Sequence, residues 1–204
     1  EPENSKEIVG LQNVEVHTQL EIADFISKHP VSYISASDAY RSAPSTTAPY
    51  SAGSLKSNAI NSALNSLNQI RYVAGIGYEI TENTTYSQKV QTGVLINAIN
   101  GTLSHTPSKP SGMSDDMYKL GYSGTSSSNL AWGYSSLASA VLSGWLDDSD
   151  SSNIDRLGHR RWMLNPTMKQ TGFGQVGTFT GMYAFDNWIW NSYFFKVFSN
   201  RFKF

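Results

Sequence analysis

The chain has 204 residues, no cysteine, and 15 basic against 16 acidic side chains, for a formal charge of −1. That balance leaves no summed field to draw nucleic acid or an anionic membrane, and the missing thiols exclude disulfides, thiolate metal sites and cysteine nucleophiles. No stretch reaches the roughly 18 apolar residues of a membrane helix, so a soluble protein is expected, and a surface only 15% charged suits a secreted protein whose signal peptide has been removed.

Residues 1–53 read as an N-terminal helical extension followed by a Pro/Ser/Thr-rich linker or wrapped loop, and residues 54–204 as the main domain. In the extension, Thr18-x-x-Glu21 has the form of a capping box ahead of the apolar stripe Leu20, Ala23, Phe25 and Ile26, and Pro30 ends that helix. Ser54 is expected to cap a long helix in which Leu55, Ala59, Ile60, Ala63, Leu64, Leu67 and Ile70 recur every three or four residues, stopping near Gly75. A second helix is expected from about Tyr86 to Asn100, with Gly101 turning the chain into Leu103-Ser104-His105. A short helix at Asp115–Leu120, the Gly/Ser stretch 121–128 and a helix from Ser136 to Leu146 follow. Beyond Pro166 the Gly-punctuated runs 171–177 and 178–185 suit antiparallel strands with tight turns. The aromatic tail from Trp188 reads as a last buried strand or as a contact surface. Helices first and strands last argue an α+β fold with its antiparallel strands in the C-terminal third.

Chemistry concentrates at two element boundaries. Gly158-His159-Arg160-Arg161-Trp162 crowds a titratable ring, two guanidinium groups and an indole behind the acidic loop 147–155, and His105 stands just past a helix end. His17 and His29 belong to the extension. Asp148-x-Asp150 opens like a calcium loop but has Asn153 where glycine is needed and His159 where glutamate is needed. No Gly-x-Ser-x-Gly or phosphate loop occurs, and Gly172-Phe-Gly-Gln-Val-Gly177 lacks a βαβ context.

Taken together, Asn68-Gln69-Ile70-Arg71, Leu103-Ser104-His105, Ser128-Asn129-Leu130-Ala131-Trp132-Gly133, Ala140-Val141 with Trp145, and Gly158-His159-Arg160-Arg161-Trp162 resemble the CAP superfamily of sperm-coating, cysteine-rich secretory and pathogenesis-related-1 proteins, most of all its bacterial branch. The resemblance implies an α-β-α sandwich, an extracellular location, and a cleft of two histidines and two acidic residues that holds a divalent metal in some members. The histidines fall on His105 and His159 and one acid on Asp148; Ser128, beside Asn129, stands where the family has a glutamate.

Three functions compete. In the first, a non-catalytic binding module takes an extracellular peptide, glycan or lipid in a cleft of His105, His159, Asp148, Ser128 and Asn129. In the second, a metal-assisted, peptidase-like hydrolase binds Zn²⁺ or another divalent metal through His105, His159 and Asp148 and uses a metal-bound water. The third is sterol or lipid carriage, with the aromatic tail and loop 107–128 as an apolar groove. Against all three stands a purely bracing role for the histidines, with Trp162 in the core and Arg160 or Arg161 paired with Asp147, Asp150 or Asp155.

Overall fold

A computed structural model describes residues 15–151 and 153–186. Helix α1 (Gln19–Lys28) starts behind its capping box: Thr18 Oγ1 accepts the Glu21 amide, and the Glu21 carboxylate accepts the Thr18 N–H at 2.7 Å. α1 buries none of its own residues. A stack of His17, Tyr72, Phe25 and His29, with successive ring centroids 3.7, 4.1 and 4.0 Å apart, fastens it to the body. The Thr18 bonds hold the Glu21 carboxyl below its ordinary value. Because a depressed acid stabilises only while ionised, the cap is complete above the ordinary carboxyl range and is lost as pH falls through the lowered value. Amide exchange in α1 is therefore expected to quicken in acid before that of the central helices. Equal quickening throughout would contradict this.

After α2 (Ala36–Ala39) and β1 (Tyr40–Ser42) the chain returns as β2 (Ser54–Leu55), antiparallel to β1. That pairing draws Ser54 into a strand, so α3 (Ser57–Val73) begins behind Lys56 rather than behind Ser54. The run between β1 and β2 wraps the body: Ala52 O accepts Gln91 Nε2 at 2.8 Å, and the Tyr50 hydroxyl donates to Ser111 O at 3.0 Å. Ala39 and Leu55 share a buried cluster with Leu67 and Trp145.

The short β3 (Thr81–Glu82) precedes α4 (Thr84–Asn100), capped by Asn83 and closed by Gly101 at φ 64°. α5 runs Asp115–Thr125, through glycines that read as a loop in the sequence. Those glycines let α5 lie directly on α4. A Cβ on Gly121 would meet Thr92 O at 2.9 Å, and one on Gly124 would collide with Lys89 O. Gly124→Ala is expected to cost about 2 kcal/mol by overpacking against backbone, read as a lower denaturant midpoint; an unchanged midpoint would contradict the contact.

β4 (Ser128–Trp132), unanticipated as a strand, leads to α6 (Leu137–Ser139), which winds on as a π-helical segment over Ala140–Trp145. α7 (Arg160–Met163), β5 (Gln170–Thr171), β6 (Phe173–Val176) and β7 (Phe179–Tyr183) complete the order. β7 is central in an antiparallel sheet ordered β4-β7-β6, with Ser128 opposite Tyr183 and Phe173 opposite Met182; β3 pairs in parallel with β5. Period-two alternation sends Leu130, Val176 and Phe179 to the α4 face, where Val90 and Val94 pack, with α5 behind. Ala131, Phe173 and Met182 go to the opposite face, against α3, α6 and Trp145. The result is the α-β-α sandwich, with β4 at an edge of the sheet among the described residues. The aromatic tail lies outside the described residues.

Candidate functional site

The site lies along the outer edge of β4. On one side stands His105, exposed on the loop after α4; its Nδ1 donates to Thr125 O at 2.8 Å, while the Thr125 hydroxyl donates to His105 O at 3.0 Å. On the other side stands His159, at the start of α7, with about a fifth of its side chain exposed. Its Nδ1 donates to Asp148 Oδ1 at 2.7 Å, and Asn129 Nδ2 holds its carbonyl at 3.0 Å. Both acceptors can only accept, so both Nδ1 atoms carry a proton. In each neutral ring Nε2 then holds the lone pair.

Asp148 is buried behind the His159 ring, 1% exposed. While Oδ1 takes the ring, Oδ2 accepts the amides of His159 and Arg160, each at 2.8 Å. Its backbone is left-handed, at φ 47°, as is that of Leu157 at φ 51°, so the acidic loop is bounded by two non-glycine residues in an unfavourable conformation. Arg160 reaches back to Leu146 O and Asp147 O at 2.5 and 2.7 Å, so its guanidinium meets carbonyls and not the loop carboxylates. Trp162 is half-buried beside the cleft rather than in the core, its ring 4.9 Å from that of Phe185.

Two adjoining concavities share His105, Asn153 and His159. The larger, about 590 Å³, runs past Leu130, Ala131 and Trp132 of β4 and is closed below by Trp145. The smaller, about 290 Å³, lies at the start of β4 beside Ser128 and Asn129, with Arg156, Arg161 and Trp162 in its wall. Trp145 Nε1 and Ser128 Oγ are buried without a partner among the described residues, an unusual cost for groups beside a cleft. Of the expected residues, His105, His159, Ser128 and Asn129 thus meet around the cleft, and Asp148 stands one layer back. Trp132 and Asn153, quoted above only as parts of a family motif and of the acidic loop, were not anticipated as site residues; a strand and a turn bring them in.

These donors do not fit a tightly held metal. A zinc site takes three or four N, O or S ligands, and here two imidazole nitrogens are joined by a neutral hydroxyl and by a carboxylate whose two oxygens are engaged. Among the described residues no three His, Cys, Asp or Glu side chains form a group able to hold a metal ion. An apolar groove of about 640 Å³ does exist, but between α1, α3 and the π-helical segment, lined by Ile26, Ile70, Val73, Leu142 and Leu146. Half of residues 107–128, expected to supply such a groove, fold into α5.

The sequence model of the cysteine-rich secretory protein (CAP) family matches residues 64–195, which span α4, β4, α7 and the whole sheet. Comparison with curated proteins and with solved structures gives no match.

Proposed function

The chain belongs to the cysteine-rich secretory protein (CAP) family, and on that premise we propose a non-catalytic binding module that works outside the cell and takes an extracellular ligand in the two-histidine cleft. The extracellular setting rests on the family and agrees with the lack, among the described residues, of any helix long and apolar enough to cross a membrane. One observation carries the binding reading: both imidazoles are pinned through Nδ1, His105 by Thr125 O and His159 by Asp148, which leaves two fixed Nε2 acceptors beside an open cleft. Fixed acceptors of this kind receive N–H or O–H donors from a ligand without reorganising.

Hydrolysis through a held metal ion would need a third ligand and a base, and Asp148 already accepts three hydrogen bonds from backbone and ring and stands behind His159. The lipid-carrier reading has one observation in its favour, the apolar groove beside α1, but that groove contains neither histidine.

The test is calorimetry of chelator-stripped protein with Zn²⁺, alongside nuclear magnetic resonance of the two imidazoles during titration with peptides, oligosaccharides and a fatty acid. Expected are no stoichiometric zinc binding at micromolar affinity, and ring shifts with one ligand class that vanish in the His105→Ala/His159→Ala double variant. Micromolar zinc binding with chelator-sensitive peptide cleavage would establish the hydrolase instead. Fatty-acid binding indifferent to the double variant would establish the carrier.

A further inference from the structure

We propose that the ligand of this cleft is the carboxyl-terminal end of a peptide, laid antiparallel along the outer edge of β4 with its α-carboxylate between Arg156 and Arg161. The proposal rests on the binding reading above and names the ligand class.

The first support is the edge itself. β4 pairs with β7 on one side only. On its other side no strand of the described residues pairs with it, and there Leu130, Ala131 and Trp132 line the larger concavity. An edge strand offers a row of backbone donors and acceptors to an incoming extended chain. Five residues of β4 at about 3.4 Å each match a peptide of four or five residues.

The second support is charge. Charge divides between the two concavities, with Asp150 in the wall of the larger and Arg156 and Arg161 in the wall of the smaller, beside Ser128 at the start of β4. Arg161 is held below its ordinary value by burial and by the neighbouring charge of Arg156, with the Asp148 carboxylate pulling the other way; an anion placed between the two guanidinium groups is attracted by both. Guanidinium forks match a planar carboxylate, and with five N–H donors each they accommodate it alongside other partners. Since the basic end lies at the start of β4, a peptide whose carboxylate sits there runs opposite to β4. Such a peptide presents amide N–H groups to the two Nε2 acceptors on its way, and the rings of Trp162 and Phe185 flank the carboxylate pocket where its last side chain falls. Sugars offer hydroxyls but no matching row of strand hydrogen bonds.

The probes are acetyl-Ala-Thr-Val-Thr-Phe as the free acid, its C-terminal amide, a backbone N-methylated form of the acid, and a glucuronate disaccharide, each titrated into the full chain with amide and guanidinium resonances observed. The free acid is expected to bind about tenfold more tightly than the amide, the worth of one charge-assisted hydrogen-bonded contact, and to move the amides of Leu130–Trp132 and Nε–H of Arg161. N-methylation should abolish the β4 shifts. Arg161→Gln, its fold verified by spectral dispersion, should bring the acid down to the affinity of the amide.

Equal binding of acid and amide, abolished in the His105→Ala/His159→Ala double variant, would overturn the carboxylate pocket and leave the cleft reading standing. Binding of the N-methylated acid as tight as the parent would overturn addition to β4. Arg161 shifts with glucuronate but with no peptide would overturn the peptide in favour of an acidic glycan, and no binding by any probe would overturn this proposal.

Discussion

Asp148→Ala is expected to lower the melting temperature by about 6–12 °C, the equivalent of roughly 3 kcal/mol in a chain of this size. The figure follows from what Asp148 does. Its buried carboxylate accepts the amides of His159 and Arg160 and the ring of His159, and hydrogen bonds to a charged group are worth about 1.5–3 kcal/mol each, without being additive. Alanine leaves two amides and a ring N–H without acceptors in a site that excludes water, and it keeps the unfavourable φ of 47°. Asp148→Asn separates stability from orientation. Asparagine tolerates the left-handed backbone but has a single acceptor oxygen, so its amide group must face one of the donors. Turned towards the ring, it donates to Nδ1, and His159 shifts to the Nε2–H form. Ring ¹⁵N shifts are expected to report that switch together with a smaller fall in melting temperature. A melting temperature unchanged in both variants would mean that Asp148 does not order the loop.

The second large effect is expected at Arg71, on the inner face of α3. Arg71 is wholly buried and meets no carboxylate among the described residues: Nε donates to Gly77 O at 2.6 Å, and Nη1 to Met163 O and Asn165 O at 2.7 and 2.9 Å, while Nη2 has no partner among them. Burial pulls its guanidinium down to about 10, so it stays charged at neutral pH. A buried charge held by three carbonyls ties α3 to the last residue of α7 and the turn beyond it, 92 to 94 residues away in the chain. Arg71→Ala should destabilise by about 4 kcal/mol, since it both opens a cavity and strands three carbonyls. Arg71→Met, which fills the space without the donors, isolates the polar share and should cost about 2 kcal/mol. If Arg71→Met unfolds at the same denaturant concentration as the parent chain, the carbonyl contacts contribute nothing and the loss in Arg71→Ala is packing alone. Either variant should also broaden the His159 resonances, because α7 is anchored through Met163.

Much of this was legible in residue patterns, and the reasons for the gaps are physical. The capping box at Thr18 and the stop at Gly101 appear where local chemistry predicts them, because caps depend on neighbours within one turn. The positions of His105 and His159 at element boundaries were legible from the motifs around them. β4 was not, since Ser128 and Asn129 have poor strand propensity and are held in place by β7 from 50 residues later. Gly121 and Gly124 read as punctuation, yet here they serve contact between helices. Asp148 was counted as one that would face the cleft, and spacing alone does not say which way a carboxylate turns. In the fold it turns to the two amides that begin α7. Arg71 stood out only as part of the motif Asn68-Gln69-Ile70-Arg71, and no pattern foretells a buried guanidinium held by carbonyls at Nε and Nη1.

Among the ties that close the segment 146–165 are Asp148 to its amides and ring, Arg160 to Leu146 and Asp147, and Arg71 to Met163 and Asn165. These are hydrogen bonds, and the chain has no thiol that could take part. Reductants and thiol-modifying reagents therefore have no purchase on this cleft, and its shape is indifferent to the redox poise of its surroundings.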